Sequence, residues 1–164
     1  MDTADKTRWL DEREQQIWAQ LSTMILRLQP VLSAQLQREF GISQFEYLIM
    51  ARLSEATESM LRMSVLATLC GSSLPRLSQA VGRLEKRGWI SRHPDAQDSR
   101  YTLAVLSPAG LRRLQEAAPS HVDAVREFVF DRLTQAQTRQ LGTICQRILD
   151  GLPPDDSWPS TTPS

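Results

Sequence analysis

Apolar residues recur every three or four positions near the start of the chain, and this spacing predicts a long amphipathic helix over about residues 9–38. The stripe consists of Leu10, Ile17, Leu21, Met24, Leu28, Val31, Leu32 and Leu36. Pro30 falls inside this helix. Because proline lacks a backbone N–H and clashes with the preceding turn, we expect it to kink the helix or to split it in two. Gly41 is the predicted terminator.

A second helix is predicted to begin directly after Ser43. Ser43 and Glu46 have the spacing of a capping box, in which each side chain accepts a hydrogen bond from the other residue's backbone. Apolar residues at helical spacing continue to about Ser54, so this helix should bury one face.

Two short helices and two strand-like runs follow. The helices are predicted at about 64–70 and 74–87, with Gly71 supplying the left-handed turn between them. The runs at 89–93 and 101–106 have the β-branched and alternating character of strands. Helix, glycine turn, helix and hairpin in this order predict a winged helix-turn-helix, a module that usually binds DNA.

The C-terminal part is predicted to be helical again. Ser107 has the features of an N-cap, and the proline after it suits the first helical position. This helix should run to about Leu133 with a bend at Pro119. Thr134 and Gln137 form another capping-box pattern, which predicts a separate last helix.

Five short motifs occur in a fixed order between Met63 and Gly110. They are Leu66-Ala67, Gly71-Ser72-Ser73, the run Arg-Leu-Glu-Lys-Arg-Gly over 83–88, Asp98-Ser99-Arg100, and Leu106-Ser107-Pro108-Ala109-Gly110. Their order and spacing resemble the MarR family of bacterial transcriptional regulators, and the flanking helices fit the family plan over roughly residues 9–150. The resemblance implies a mainly α fold with a small β wing, in which dimerisation helices flank a winged helix-turn-helix.

The domain organisation follows from this resemblance. We expect an N-terminal dimerisation helix over 1–38, a DNA-binding domain over 39–107, C-terminal dimerisation helices over 108–150 and a disordered Pro/Ser/Thr-rich tail over 151–164. The terminal helices carry more apolar surface than one long helix could cover, and in the MarR family such helices interdigitate with a second subunit. The resemblance therefore implies a homodimer whose recognition helices lie about one DNA turn apart, on a pseudo-palindromic operator.

Charge is segregated although the sum is zero. The 164 residues hold 19 basic and 19 acidic side chains, but residues 71–100 hold six basic side chains against three acidic ones. A local basic face attracts phosphate even on a neutral protein, so double-stranded DNA remains the expected partner. The chain has no apolar run long enough to span a bilayer and no signal-peptide pattern, and we therefore expect a cytoplasmic protein with no membrane partner.

The candidate DNA contacts lie in the second short helix and in the hairpin. They are Ser73, Pro75, Arg76, Ser78, Gln79, Arg83, Lys86, Asp98 and Arg100. Arg76 and Gln79 are the predicted base readers, because arginine fits guanine O6/N7 and glutamine fits adenine N6/N7. Alone, such a polar face is typical of a solvated helix. The adjoining glycine turn and hairpin favour DNA contact instead. Pro75 either touches a thymine methyl group or only stiffens the first turn.

The remaining candidates have supporting roles. Ser73 and Ser78 suit phosphate or base contacts near the helix N-terminus. Asp98 and Arg100 are either an ordinary ion pair at the hairpin tip or, as the resemblance implies, a carboxylate that orients an arginine in the minor groove. Lys86 is a phosphate contact or a solvated charge.

The residue inventory does not support an enzyme. The chain has two histidines, no glycine-rich phosphate loop, no Gly-x-Ser-x-Gly and no metal-ligand spacing, so no cofactor or metal is expected. Cys70 and Cys145 are interpreted as small core residues rather than redox switches. The alternative to a DNA-binding regulator is a winged helix that serves only protein interaction. Such a module does not need the basic recognition face that this chain has.

A small ligand is the least constrained expectation. The resemblance places a cleft between the first helix, the second helix and the helix that begins at residue 108. We place an aromatic or phenolic ligand around Trp18, Met24, Tyr47 and His121, whose rings and side chains suit such a molecule. The alternative is that all four are packing residues and that no ligand exists. The resulting hypothesis is a ligand-responsive, homodimeric repressor.

Overall fold

The computed structural model describes residues 7–152, which form six α-helices and one three-stranded antiparallel sheet. The helices are α1 (Glu12–Phe40), α2 (Gln44–Glu55), α3 (Met63–Leu69), α4 (Leu74–Lys86), α5 (Pro108–Phe128) and α6 (Gln135–Asp150). The strands are β1 (Met60–Arg62), β2 (Ile90–Pro94) and β3 (Thr102–Leu106). The sheet order is β1-β3-β2, so β3 is central. The predicted fold, mainly helical with a small β wing, is confirmed.

Side-chain caps set the helix starts. The predicted caps at Ser43, Ser107 and Thr134 are present, each accepting a hydrogen bond from a backbone N–H in the first turn of its helix. A further capping box between Asp11 and Glu14, which the apolar pattern did not reveal, opens α1. The first helix therefore begins later than predicted.

Two predictions for the proline-containing helices need correction, namely the split of α1 at Pro30 and the end of α5 at Leu133. α1 is one continuous helix through Pro30, so the alternative of two segments is wrong. Proline removes the hydrogen bond to the carbonyl of Leu26, but both residues lie on the exposed side, where water can satisfy that carbonyl. Gly41 ends α1 with φ 66°, as predicted. α5 ends at Phe128 rather than Leu133, because Phe130–Arg132 forms a 3₁₀ turn.

The core lies where α2 meets its neighbours. α2 contacts α1, α3, α4, α5, β1 and β3, and its inner face is fully buried. The largest fully buried core side chains are Leu36, Ile42, Ile49, Met50, Leu53, Leu66, Leu77, Val81 and Leu84. Each such side chain stabilises the fold by about 1.5–3 kcal/mol relative to an exposed position. α2 therefore connects α1 and α5 to α4.

Strand β1 was not predicted. It pairs antiparallel with β3, with Met60 opposite Val105 and Arg62 opposite Leu103. Three residues are too few to show an alternating pattern, and this strand exists because β3 offers a free edge. β2 pairs with the other edge of β3 and completes the hairpin that was predicted as the wing.

The last helix, α6, packs weakly within the chain. None of its residues, which all lie in the described range, is buried. Its apolar stripe includes Ile144 and Ile148, both exposed. The predicted tail over 151–164 falls outside the described residues from 153 onward, as do residues 1–6 of the predicted 1–38 segment. Every helix among residues 7–152 is too short or too polar to cross a membrane.

Candidate nucleic-acid interface

The exposed side of α4 carries the predicted recognition residues. Arg76, Gln79 and Arg83 lie on this side, which we call the reading face, and Lys86 is exposed at the end of the helix. The opposite side is anchored in the core through Leu77, Ala80, Val81 and Leu84. Burial of one helix face thus leaves the predicted base-reading residues in solvent.

The N-terminus of α4 is also accessible. Ser73 is the N-cap residue, and its side chain makes no capping hydrogen bond. Pro75 occupies the first turn and is exposed, while Ser78 is half-buried. The Ser73 hydroxyl and the first backbone N–H groups of α4 are therefore available for an anion such as a phosphate.

Two arginines of the reading face contact α2. The Arg76 guanidinium carbon lies 4.7 Å from the centre of the Phe45 ring, and Arg83 Nε donates to Glu46 Oε1 at 2.9 Å. The Glu46 side chain is only 5% exposed, whereas that of Arg83 is 54% exposed. Burial opposes ionisation of Glu46, but hydrogen bonds from the Ser43 N–H and Arg83 outweigh it and hold the Glu46 pKa below its usual value. Sequence reasoning missed these contacts, because Glu46 was interpreted only as a capping residue.

The wing is braced against α4. Arg92, on β2, lies 2.6 Å from Glu85 Oε2 through Nη2 and 3.5 Å from Ser78 Oγ through Nη1. The hydrogen bond from Arg92 lowers the pKa of Glu85 and keeps it charged. Arg92 therefore fixes the distance between hairpin and helix, a role that its sequence position did not reveal.

The tip of the wing brings Asp98 and Arg100 together. Arg100 Nη2 donates to Asp98 Oδ2 at 2.6 Å and Nε donates to Oδ1 at 2.9 Å, a two-pronged contact. The hydrogen bond from Arg100 lowers the Asp98 pKa, and the same bond raises the pKa of Arg100. The Arg100 side chain is 82% exposed, so it projects from the wing while its direction is set by Asp98.

The base of the wing contains an ion pair that was not predicted. Arg62 Nη2 lies 2.7 Å from Asp95 Oδ2, and the Arg62 guanidinium carbon is 4.4 Å from the centre of the Tyr101 ring. Asp95 is buried and accepts a further hydrogen bond from the Gln97 N–H. This pair joins β1 to the hairpin. In the sequence, Asp95 looked like an ordinary turn residue.

A cleft of about 230 Å³ separates α4 from the wing. Its lining is Met63, Ser64, Leu74, Ser78, Arg92, Arg100, Tyr101 and Thr102. Two guanidinium groups and several hydroxyls thus face one concave surface, a composition suited to a polyanion backbone.

The structure brings together only two of the four predicted ligand residues. The Tyr47 and His121 rings pack at a tilt of 48° with centres 4.3 Å apart, and burial raises the pKa of Tyr47 and lowers that of His121. Trp18 and Met24 lie on the exposed side of α1. Met24 lines a separate cleft of about 670 Å³ that ends at Phe128. Within one chain the four residues therefore do not share a cleft.

The two cysteines differ. Cys70 is buried, and burial raises the pKa of its thiol to about 11, as suits the predicted core residue. Cys145 is exposed on α6, so its interpretation as a core residue is wrong within the single chain. No residue of α6 is buried, and the helix therefore offers no core position. Residues 7–152 contain no group of three histidine, cysteine or acidic side chains arranged to hold a metal ion.

Comparison with known proteins identifies the family. A sequence profile described as the MarR family matches residues 40–100. Sco3205, a MarR family transcriptional regulator from Streptomyces coelicolor solved in complex with DNA, is 40% identical with a TM-score of 0.87, covering 92% of this chain and 98% of that one. AbsC, a MarR family regulator from the same organism, is 33% identical with a TM-score of 0.82, covering 88% and 97%.

A curated relative is more distant. The transcriptional repressor MprA of Escherichia coli K12 is 26% identical over 112 residues, which cover 68% of this chain and 63% of that repressor. These relatives are transcriptional regulators and not enzymes, which confirms the prediction that the chain is not an enzyme. With 40% identity to Sco3205 across nearly the full length of both proteins, the chain belongs to the MarR family of transcriptional regulators.

Proposed function

We propose that this protein binds double-stranded DNA as a homodimer and represses transcription, and that a small ligand relieves the repression by weakening DNA binding. The observation that carries the proposal is the exposure of the reading face on α4 and of Arg100 on the wing, together with the cleft that Arg100 and Ser78 of α4 both line. The major groove of DNA admits an α-helix, and the adjoining minor groove admits the tip of a wing. One winged helix-turn-helix can therefore contact both grooves at once.

Each element has a proposed role in DNA contact. Arg76 and Gln79 read bases in the major groove, with Ser73, Pro75 and Ser78 beside the backbone. Arg100, aligned by Asp98, enters the adjoining minor groove. The DNA-bound structure of Sco3205 supports a complex of this general kind.

The homodimer is proposed from the unpartnered terminal helices. α6 has no buried residue, and α1 presents Ile17, Met24 and Ile25 to solvent. Several exposed apolar side chains on the terminal helices are typical of an interface, and a second copy offers the same side chains for a two-fold contact. Two joined lobes then require a pseudo-palindromic site with half-sites about one DNA turn apart.

Repression and ligand response are proposed from a relative and from one pair of side chains. The curated relative MprA is a repressor. The Tyr47–His121 pair lies between α2 and α5, where a ligand would act on the element that supports α4. Reciprocity requires that a ligand which weakens DNA binding also bind the DNA complex more weakly than the free protein.

DNA binding is tested with a duplex that the wild-type protein selects from a random library, called the selected duplex. Its affinity is measured across a salt series. We expect log Kd to rise linearly with log salt, with a slope of about 0.9 per phosphate contact. The matched control is a duplex of the same composition in scrambled order, which should bind with lower affinity. Failure to bind either duplex at low salt favours the protein-interaction module and contradicts the proposal.

Ligand response is tested with aromatic acids and phenols. We expect some of them to raise the melting temperature and to release bound DNA. His121→Ala should weaken this response. The same response is measured for Trp18→Ala, the variant of another predicted ligand residue. Variants that fold, bind DNA and release it at unchanged ligand concentration would remove these residues from the site.

A further inference from the structure

The first turn of α2 touches both arginines of the reading face. Phe45 lies under the Arg76 guanidinium, and Glu46, the next residue, binds Arg83. Neighbouring residues of α2 thus hold residues that are two turns apart on α4, and the two helices also pack against each other.

Glu46 is bound from two sides. Its Oε2 accepts the Ser43 N–H at 2.9 Å, while Oε1 accepts Arg83 Nε at 2.9 Å. The carboxylate therefore cannot rotate without breaking the helix cap. Because only Nε of Arg83 is engaged, its two terminal amino groups have no hydrogen-bond partner among the described residues. Those two groups form the fork that binds guanine or phosphate end-on.

We propose that Glu46 and Phe45 are positioning residues that fix Arg83 and Arg76 in their DNA-reading orientations before DNA arrives. The proposal rests on the proposed function and explains how the side chains of the reading face are held in place. A free arginine side chain loses much rotamer entropy when it is immobilised on DNA. A side chain already held by a buried partner loses less, so preorganisation raises affinity and sharpens discrimination.

The position of Glu46 creates an electrostatic cost that makes the proposal testable. A carboxylate near the DNA repels phosphates, so its removal raises attraction to every duplex alike. This gain in attraction is the same for every sequence, so it does not change the discrimination between sequences. The ratio of affinities for selected and scrambled duplexes therefore isolates the positioning effect from the charge effect.

The test substitution is Glu46→Gln, because glutamine also serves as the fourth residue of a capping box and preserves the start of α2. Glutamine has one carbonyl oxygen for the two donors, so when that oxygen accepts the Ser43 N–H and keeps the cap, the NH₂ group faces Arg83 Nε and the arginine loses its acceptor. The charge control is Glu55→Gln, which removes a carboxylate at the exposed end of α2, where it pairs with Arg52 at 3.0 Å. The probe is a duplex selected by the wild-type protein from a random library, measured beside its scrambled counterpart.

We expect Glu46→Gln to lower the selected-to-scrambled affinity ratio by about 2- to 12-fold, the loss that corresponds to one immobilised side chain. In the Arg83→Ala background the same substitution should change the ratio by less than about twofold, because the two residues act as one unit. Glu55→Gln should leave the ratio unchanged. The parallel pair, Phe45→Leu with Arg76→Ala, should behave in the same way.

Several outcomes would overturn the inference. An equal loss from Glu46→Gln with and without Arg83 means that Glu46 has only a structural role. An unchanged ratio in Glu46→Gln, or in Arg83→Ala alone, means that Arg83 needs no positioning. If the wild-type protein does not distinguish the two duplexes at all, the proposed function itself fails, and the melting temperature of each variant separates these results from unfolding.

Discussion

Replacing Ile144 and Ile148 with aspartate should convert the proposed dimer into a monomer. The two side chains lie one turn apart on α6 and are 54% and 46% exposed in the single chain. Since α6 buries none of its residues within the chain, these positions have little intramolecular packing to lose. The substitution should therefore act on association and leave the fold of the winged helix intact.

The contribution of these two isoleucines to the free energy of association follows from their exposed area. Full burial of an isoleucine side chain contributes about 1.5–3 kcal/mol, and about half of each of these side chains remains to be covered. Two such residues from each of two protomers contribute about 3–6 kcal/mol to association. Their loss raises the dimer dissociation constant by about 10²–10⁴-fold. The new carboxylates add a desolvation cost to this loss.

The assay is sedimentation velocity across a concentration series, with circular dichroism to report folding. Gln146→Asp is the control, because it adds a negative charge on the opposite side of α6 and should leave the protein dimeric. A folded double variant that stays dimeric at the lowest concentration would refute the interface assignment. A folded monomer with full affinity for the selected duplex would refute the need for two joined lobes.

Three further predictions concern single side chains. Arg76→Ala should weaken the free energy of DNA binding by about 1–3 kcal/mol and relax the base preference at one base pair per half-site. Arg100→Ala should relax the preference only in the A·T-rich flanks. Selection of unchanged sequences by these variants would contradict both predictions. Cys145 should react with a maleimide near neutral pH and Cys70 should not, since burial raises the Cys70 pKa to about 11; equal labelling by mass spectrometry would contradict this. Burial lowers the pKa of His121 below 6.5, so its neutral form stabilises the fold above that pH and the stability is lost as pH falls. His121→Phe should flatten this decline in melting temperature, and an equally steep decline would show that another group is responsible.

Local signals in the sequence predicted most of the helices and the wing. The caps at Ser43, Ser107 and Thr134 need only residues within one turn, and the structure contains all three. Boundaries that depend on distant contacts were missed. β1 forms only because β3 offers it a partner, and α1 continues through Pro30 because solvent surrounds the interrupted hydrogen bond.

The same division applies to the candidate site. The exposure of Arg76, Gln79 and Arg83 follows from helical period alone, so the sequence could place them on one face. The partners of these arginines lie on α2, about thirty to forty residues away in the chain, and no spacing rule connects them. Tyr47 and His121 were brought together as expected, whereas Trp18 was assigned to the cleft without knowledge of which side of α1 faces α2.

In the proposed complex, two joined copies of α4 read two half-sites on one face of DNA. The most direct measurement is affinity for the selected duplex before and after insertion of about half a helical turn, roughly 5 base pairs, between the half-sites. The insertion rotates one half-site to the other side of the duplex. We expect affinity to fall to that of a duplex with a single half-site. Unchanged affinity after the insertion would contradict the claim.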